Sequence, residues 1–395
     1  MEFTIAKRPV TSGPKFHWFG YYDKFQFDIT GRYALGMEVD FEHRAPNEDD
    51  ELILGIIDLQ NEDRWCEIGT STAWCWQQGC MLQWRPGYKD EIIWNDRQGG
   101  DFVSRVLNLN SGEVKTFPSA IYSLSPDGNA SINTDFRRIQ DMRPGYGYAG
   151  FPDPNRHILA PDDVGVSYQD MNSGKCHLIV SIAEVASLPY PHGDLSKAKH
   201  YFNHLLISPD GARAIFLHRW RFSGGPFHTR MMTIGLDGTD LRVVDDGGKT
   251  SHFIWRDSEN ILAWAWHPSN AEGFYLFNEK DRSVQSVGLG NMELNGHCTY
   301  LPTLNNKDEW ILNDTYPHGE KDKVQEVYLF NPSNQRRIPL ATFPALEIYR
   351  GDSRCDLHPR SNAQGDKVMV DSAHSGGRQM YLLEINGLDD VYRSN

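Results

Sequence analysis

The sequence has no apolar run long enough to span a membrane, no CxxC pair, and almost none of the sustained 3.6-residue periodicity of long helices. Those absences argue against an integral membrane helix, a paired-cysteine zinc or redox site, and a helical bundle. The six cysteines, Cys66, Cys75, Cys80, Cys176, Cys298 and Cys355, are too sparse for a small disulfide scaffold and read as reduced thiols. Met1 to Arg8 lacks the apolar core of a signal peptide, so the expected location is cytoplasmic. Cations are also scarce: 39 Lys and Arg against 53 Asp and Glu leave a formal charge of −14, which speaks against a nucleic-acid partner. Nothing implies a protein partner. The Gly224-Gly225 and Gly376-Gly377 pairs lack the Lys-Ser/Thr that follows a phosphate loop and read as turns, and neither Gly-x-Ser-x-Gly nor His-Glu-x-x-His occurs.

What is present is turn chemistry and aromatics: 35 Gly, 21 Pro, 11 Trp, 17 Tyr and 19 Phe, a composition suited to many short strands. Ser-Pro-Asp-Gly occurs at Ser125–Gly128 and Ser208–Gly211, and looser copies stand at Asp28–Gly31, Arg85–Gly87, Arg256–Ser258, Asn305–Asp308 and Ala363–Asp366. Seven recurrences predict an all-β fold, a seven-bladed β-propeller formed as a single domain over residues 1–395. The widest interval, 83 residues from Ser125 to Ser208, predicts an insertion at about 140–200. Ser181 to Ser187 and Asp194 to His200 are the expected short helices within it. Strands are expected at Asp90–Trp94, Phe102–Leu107, Lys367–Val370 and Gln379–Ile385.

In a propeller, residues just before the innermost strand of each blade lie near the channel mouth. At that position stand His17, Gln77 and Gln78, His204, His252, His297, and Asp356 with His358. One histidine alone would read as structural; polar groups recurring at one blade position read as a site. Arg143 with Tyr146 and Tyr148, His218, Arg221, Arg354 and Gln78 offer stacking faces, carboxylate clamps and hydrogen bonds for a sugar. Tyr146 and Tyr148, flanked by glycine, read as exposed loop residues, either of which could protonate a leaving oxygen. Trp76, Trp84 and Trp94 read as packing between blades.

Five ordered elements, Phe216-Leu217-His218, Thr229-Arg230-Met231, Ser251-His252-Phe253-Ile254-Trp255, Gly296-His297 and Asp356-Leu357-His358-Pro359, make residues 200 to 385 resemble the oligogalacturonate lyases. A weaker echo lies near His17 and Tyr21-Tyr22. These are cytoplasmic seven-bladed propellers that cleave short pectin fragments by β-elimination with a manganese-like ion. The resemblance implies that Arg230 binds the uronate, that His252 is the Brønsted base, and that His297, His358 and Asp356 hold a divalent metal, Mn2+ above others. The sequence departs from the family at Asp356, where the family has histidine, and at Ser353, where it has glutamine. A carboxylate can still ligate a hard cation.

Such a set suits the chemistry. Removing the C5 proton of a uronate places a second negative charge beside a carboxylate, so neutralising that carboxylate is the main task, and a metal and an arginine fork do it electrostatically. The expected function is therefore a metal-dependent lyase acting on short acidic oligosaccharides. The alternatives are a lyase for another acidic glycan, of rhamnose-glucuronate or ulvan-like type, a non-catalytic sugar- or protein-binding propeller, and a glycosidase, which would need two carboxylates drawn from Asp23, Asp314 and Asp356.

Overall fold

The computed structural model describes residues 4–302 and 309–387. They form seven four-stranded antiparallel sheets, the blades of a seven-bladed β-propeller. Each blade starts with a short strand of two or three residues in most cases, as in Phe16–Trp18, Phe253–Trp255 and Arg360–Ser361. Six of the seven expected turn marks fall between the first and second strands of a blade; the seventh, Asn305–Asp308, lies outside the described residues.

The turns form for local reasons. In Ser-Pro-Asp-Gly the serine hydroxyl donates to the aspartate, at 2.5 Å for Ser125 and 2.6 Å for Ser208. The glycine N–H then returns to the serine carbonyl at 2.8 and 2.9 Å, with Gly128 and Gly211 at φ 70° and 72°. Only glycine adopts that conformation without a steric cost.

The chain divides into two compact units, residues 1–84 with 287–395, and residues 85–286. In the first unit, Thr4–Pro9 pairs antiparallel with Gln379–Asn386, so the first strand of the chain is the outer strand of the last blade. Its core joins the sixth and seventh blades through Trp310, Leu312, Leu329, Phe343, Val368, Val370 and Leu383. In the second unit the equivalent core unites the fourth and fifth blades through Leu217, Met231, Phe253, Trp255, Ala263 and Tyr275. Trp76, Trp84 and Trp94 are buried, as packing residues should be.

The segment expected as one insertion is two excursions separated by the strand pair Gly165–Asp170 and Cys176–Ser181. The first carries helix α1, Phe136–Met142, which the sequence reading did not include; Asp135 caps it by accepting from the Arg137 N–H at 2.8 Å. Arg138 of this helix is buried and donates to the carbonyls of Asn155, Ile158, Leu159 and His200, pinning the loop that follows. The second carries helix α2, Ile182–Ala186, inside the expected Ser181–Ser187, started by a capping box between Ser181 and Glu184.

The expected helix at Asp194–His200 is not formed. Asp194 accepts from the Ser196 N–H at 2.9 Å and from its hydroxyl at 2.8 Å, a side-chain turn that competes with helix. From Lys199 the chain is already in a strand that runs to Ile207. No helix among the described residues is long and apolar enough to cross a membrane.

Candidate metal centre

His297, Asp356 and His358, all buried, bring one ligand atom each to within 4.8 Å of one another. The histidine rings stand nearly perpendicular with centroids 4.2 Å apart. The two histidines come from segments that precede the innermost strands of the sixth and seventh blades, Thr299–Leu301 and Arg360–Ser361. Blade geometry therefore joins groups some 60 residues apart, as the recurrence of polar residues at that position anticipated.

Asp314, at the end of the strand Trp310–Asp314, orients this group. Its Oδ1 accepts the His297 N–H at 2.6 Å, and both of its oxygens lie 3.0 Å from His297 Nδ1. Oδ2 also accepts the His358 N–H at 3.0 Å. A carboxylate on Nδ1 fixes the proton there and leaves the lone pair on Nε2, the tautomer a metal requires. Gly296 makes this approach feasible: a Cβ at that position would lie 1.9 Å from the Asp314 carbonyl oxygen. His358 sits in the left-handed region at φ 44°, uncommon for a residue other than glycine, and its carbonyl accepts from Arg360.

Asp356 Oδ2 accepts from Arg354 Nε at 2.6 Å, whereas Oδ1 is buried with no hydrogen-bond partner among the described residues. A buried carboxylate oxygen without a donor is costly unless a cation meets it. Two imidazoles and one carboxylate are donors that first-row divalent ions accept, so the residues fit a metal.

Around the group stand Tyr21, 5.2 Å from the His358 ring, and Tyr22 and Tyr316, 5.3 and 5.4 Å from that of His297. The loop bearing Tyr21 and Tyr22 is held by Asp371, which accepts the Phe19 and Gly20 N–H groups at 3.2 Å and forms a buried ion pair with Arg360. The Arg354 loop is held by Gln77, whose amide donates to the Asp352 and Arg354 carbonyls at 3.1 and 3.0 Å. Sequence reasoning named Asp314 only as an acid for glycoside hydrolysis and assigned Gln77 no anchoring role. Gln78, expected to bind sugar, is buried at 1 % exposure.

His17 does not join the centre. Its Nδ1 meets Gln379 at 3.1 Å and its Nε2 meets Glu38 at 2.9 Å, and burial lowers its pKa against the pull of Glu38. It is a structural histidine.

In the second unit, His252 is buried immediately before the strand Phe253–Trp255, its Nδ1 3.4 Å from the Ser251 hydroxyl. The His204 ring lies 6.5 Å from it and stacks on Phe253 at 4.0 Å. His204 is at φ 51°, with its N–H donated to the Tyr122 hydroxyl at 2.8 Å.

Arg230 and His218 depart from expectation. Arg230 is fully buried and donates Nε–H to His218 Nδ1 at 2.9 Å, Nη1 to the Pro189 carbonyl at 3.1 Å and Nη2 to the Val185 carbonyl at 2.6 Å. His218, also at 0 % exposure, has its Nε2 2.8 Å from His200 Nδ1, and His200 Nε2 reaches the Leu195 carbonyl at 3.4 Å. The donors run one way, Arg230 to His218 to His200 to Leu195, which fixes both tautomers. Burial, with the neighbouring Arg230, holds His218 well below the ordinary histidine pKa and pushes His200 down to about 4. Both are neutral imidazoles at physiological pH, committed to interior partners rather than to a sugar.

Tyr146 and Tyr148 are a second correction. They are buried, not exposed: Tyr148 stacks on Phe136 of α1 with centroids 4.1 Å apart and receives a hydrogen bond from Asn95 at 3.0 Å, and Tyr146 lies under the Arg143 guanidinium at 3.9 Å. Arg143 is half-buried between Tyr146 and Phe227, and Arg221 is exposed at the end of its strand.

Fold and site together define a β-propeller with a buried candidate metal centre of two histidines and one carboxylate. No family model matches the chain, and no curated protein matches it. Among solved structures it is similar to an oligogalacturonate lyase in complex with manganese, over 98 % of both chains at 14 % identity and a TM-score of 0.67. It is also similar to an oligogalacturonate lyase from Vibrio parahaemolyticus, over 97 % of both at 14 % identity and a TM-score of 0.64. A further similarity, to the tricorn protease, has 9 % identity and a TM-score of 0.51 over 91 % of this chain and 33 % of that one. At such identities the likeness establishes the fold.

Proposed function

We propose that this protein is a divalent-metal-dependent lyase that cleaves short uronate-containing oligosaccharides by β-elimination. The observation that carries the reading is the His297, Asp356 and His358 group, oriented by Asp314 and left with an unpartnered carboxylate oxygen. The similarity in fold to lyases of acidic oligosaccharides, one of them solved with manganese, supports it.

A divalent ion bound there supplies Lewis-acid stabilisation of the uronate carboxylate as charge builds beside it. His297 and His358 offer Nε2 lone pairs to it, and Asp356 offers Oδ1. Arg354, paired with Asp356 and only half-buried, adds a cation at the same place. His252 is the proposed base: its imidazole takes the C5 proton, general-base help that contributes on the order of 10² to 10⁴ in rate. The electron pair released forms the C4–C5 double bond as the C4–O bond breaks, the leaving oxygen takes a proton from water, and His252 returns its proton to the hydroxide so formed. Arg230 enters as a positioning residue, since its guanidinium holds His218 and two carbonyls rather than a substrate. Arg143 and Arg221 are proposed to meet the glycan.

The carboxylate at Asp356 and the serine at Ser353 also suit a relative that acts on a different acidic glycan, such as a rhamnose-glucuronate disaccharide. The protein, loaded with manganese, would be incubated with oligogalacturonates and with glucuronate-containing oligosaccharides while the ultraviolet absorbance of the unsaturated uronate is followed. A rise abolished by chelation supports elimination and identifies the glycan. No rise with any of them overturns the reading.

A further inference from the structure

Beside the metal centre, within the same unit, lies a cavity of about 430 Å³ lined by Lys323, Gln325, Tyr349, Arg350, Arg354 and Asp356 among others. Its size falls in the range of roughly 300 to 1,000 Å³ of sites that enclose small molecules. Two features mark it as built for a ligand. Gln325 is 96 % buried by its 4 % exposure, yet its side-chain Nε2 has no acceptor among the described residues, leaving an amide donor on the cavity wall. The wall also carries three cations, Lys323, Arg350 and Arg354, against two carboxylates, Glu347 and Asp356, in a chain whose overall charge is −14. One of those carboxylates is already paired with Arg354.

The rest of the lining is neither flat nor loose. The Tyr349 hydroxyl donates to Glu42 at 2.5 Å, and Glu42 pairs with the buried Arg378 at 3.0 Å, so the tyrosine ring is fixed. Leu346, Ala345 and Pro317 supply apolar surface beside it. An aromatic face, apolar patches, an amide donor and surplus positive charge match a sugar acid; a bare phosphate would not use the ring.

We infer that this cavity is a subsite for a second uronate, the residue next to the one whose carboxylate meets the metal, with Lys323 and Arg350 on its carboxylate and Gln325 Nε2 on a ring or carboxylate oxygen. Asp356 links the two places, since it belongs to the metal group and to the cavity wall. The inference deepens the proposed function and rests on it for the identity of the sugar. It requires that the protein select substrates of at least two uronates.

Two measurements test it. In the first, trigalacturonate and its fully methyl-esterified form are titrated calorimetrically into the chelated wild-type protein, into Lys323→Ala/Arg350→Ala and into Gln325→Leu. Both cations are exposed, so the double variant should fold, and a matching thermal midpoint checks each variant. The free acid should bind the wild type and lose about fivefold or more in affinity in each variant, a loss in keeping with exposed ion pairs and one hydrogen bond. The ester should bind wild type and double variant alike. Equal affinity of the acid for wild type and double variant, or no binding of the acid to wild type, overturns the subsite.

In the second, KM and kcat for trigalacturonate are compared in the manganese-loaded forms. A raised KM with kcat held near wild type supports the subsite, and an unchanged KM refutes it. If no glycan yields unsaturated product, the elimination reading fails while the titration still decides whether a sugar acid binds here.

Discussion

Replacing Asp314 by asparagine tests whether the metal centre is preorganised by its supporting carboxylate. Asp314 accepts three hydrogen bonds, from the His297 N–H, the His297 ring and the His358 N–H. Asparagine keeps one oxygen and turns an NH₂ group toward the donors that met the other. At least one buried N–H then loses its acceptor, at a cost of about 1–3 kcal/mol in stability. The ring proton of His297 is no longer held on Nδ1, so the Nε2 lone pair is not guaranteed, and loss of such a supporting carboxylate lowers metal affinity by about 10- to 100-fold. Manganese affinity would be measured by competition with a chromophoric chelator, and stability by thermal unfolding of the chelated protein. Affinity within twofold of wild type in a folded variant would refute the argument that Asp314 sets the tautomer.

Two further outcomes are expected. His252→Ala should lower the elimination rate by about 10²- to 10⁴-fold while leaving manganese affinity unchanged, checked by steady-state rates beside a metal titration; a loss of metal binding would place His252 in the wrong role. His200, with its pKa at about 4, binds fewer protons in the folded chain than in the unfolded one, whose histidine titrates near 6.5. Stability therefore falls as pH drops through 6.5 and the loss is complete near 4, about 3 kcal/mol from this residue; denaturant unfolding of His200→Gln across that window should show a correspondingly flatter pH dependence.

The propeller was legible because its turns are local. A serine, an aspartate and a glycine within four residues close each Ser-Pro-Asp-Gly turn by themselves, so the repeat survives in sequence. The metal group was legible through the family resemblance, which singled out His297, Asp356 and His358; the structure brings these together from segments that precede the innermost strands of the sixth and seventh blades. What could not be read depends on distant partners. Arg230 is buried by carbonyls of Val185 and Pro189, more than 40 residues away, beyond a helix whose docking has no signature in the Arg-Met motif. Tyr148 looked exposed because it lies in a glycine-rich stretch, Gly145 to Gly150, but α1 supplies Phe136 as a stacking partner, and that helix is short enough to escape periodicity. The pairing of Thr4–Pro9 with Gln379–Asn386 joins the two ends of the chain, which no window of sequence contains.

The departure at Asp356 can be weighed by charge. Where the resembling family places a neutral histidine, this chain places a carboxylate, which would reduce the charge a divalent ion presents to an anionic sugar. Arg354 offsets that reduction: its Nε is 2.6 Å from Asp356 Oδ2, so the pair together adds no net charge, as a histidine would. Arg354→Gln should therefore act in opposite directions on two observables. Metal affinity should rise, because the carboxylate is no longer shared with a competing cation. The elimination rate should fall, because the site that faces the substrate carboxylate loses one positive charge; one charge acting at about 6 Å through an effective dielectric of about 20 is worth roughly 3 kcal/mol, on the order of 10²-fold before solvent screening reduces it. Manganese titration and steady-state rates on the same preparation separate the two. A parallel fall in both would show that Arg354 merely props up Asp356, and that the exchange of histidine for an aspartate–arginine pair is structural rather than electrostatic.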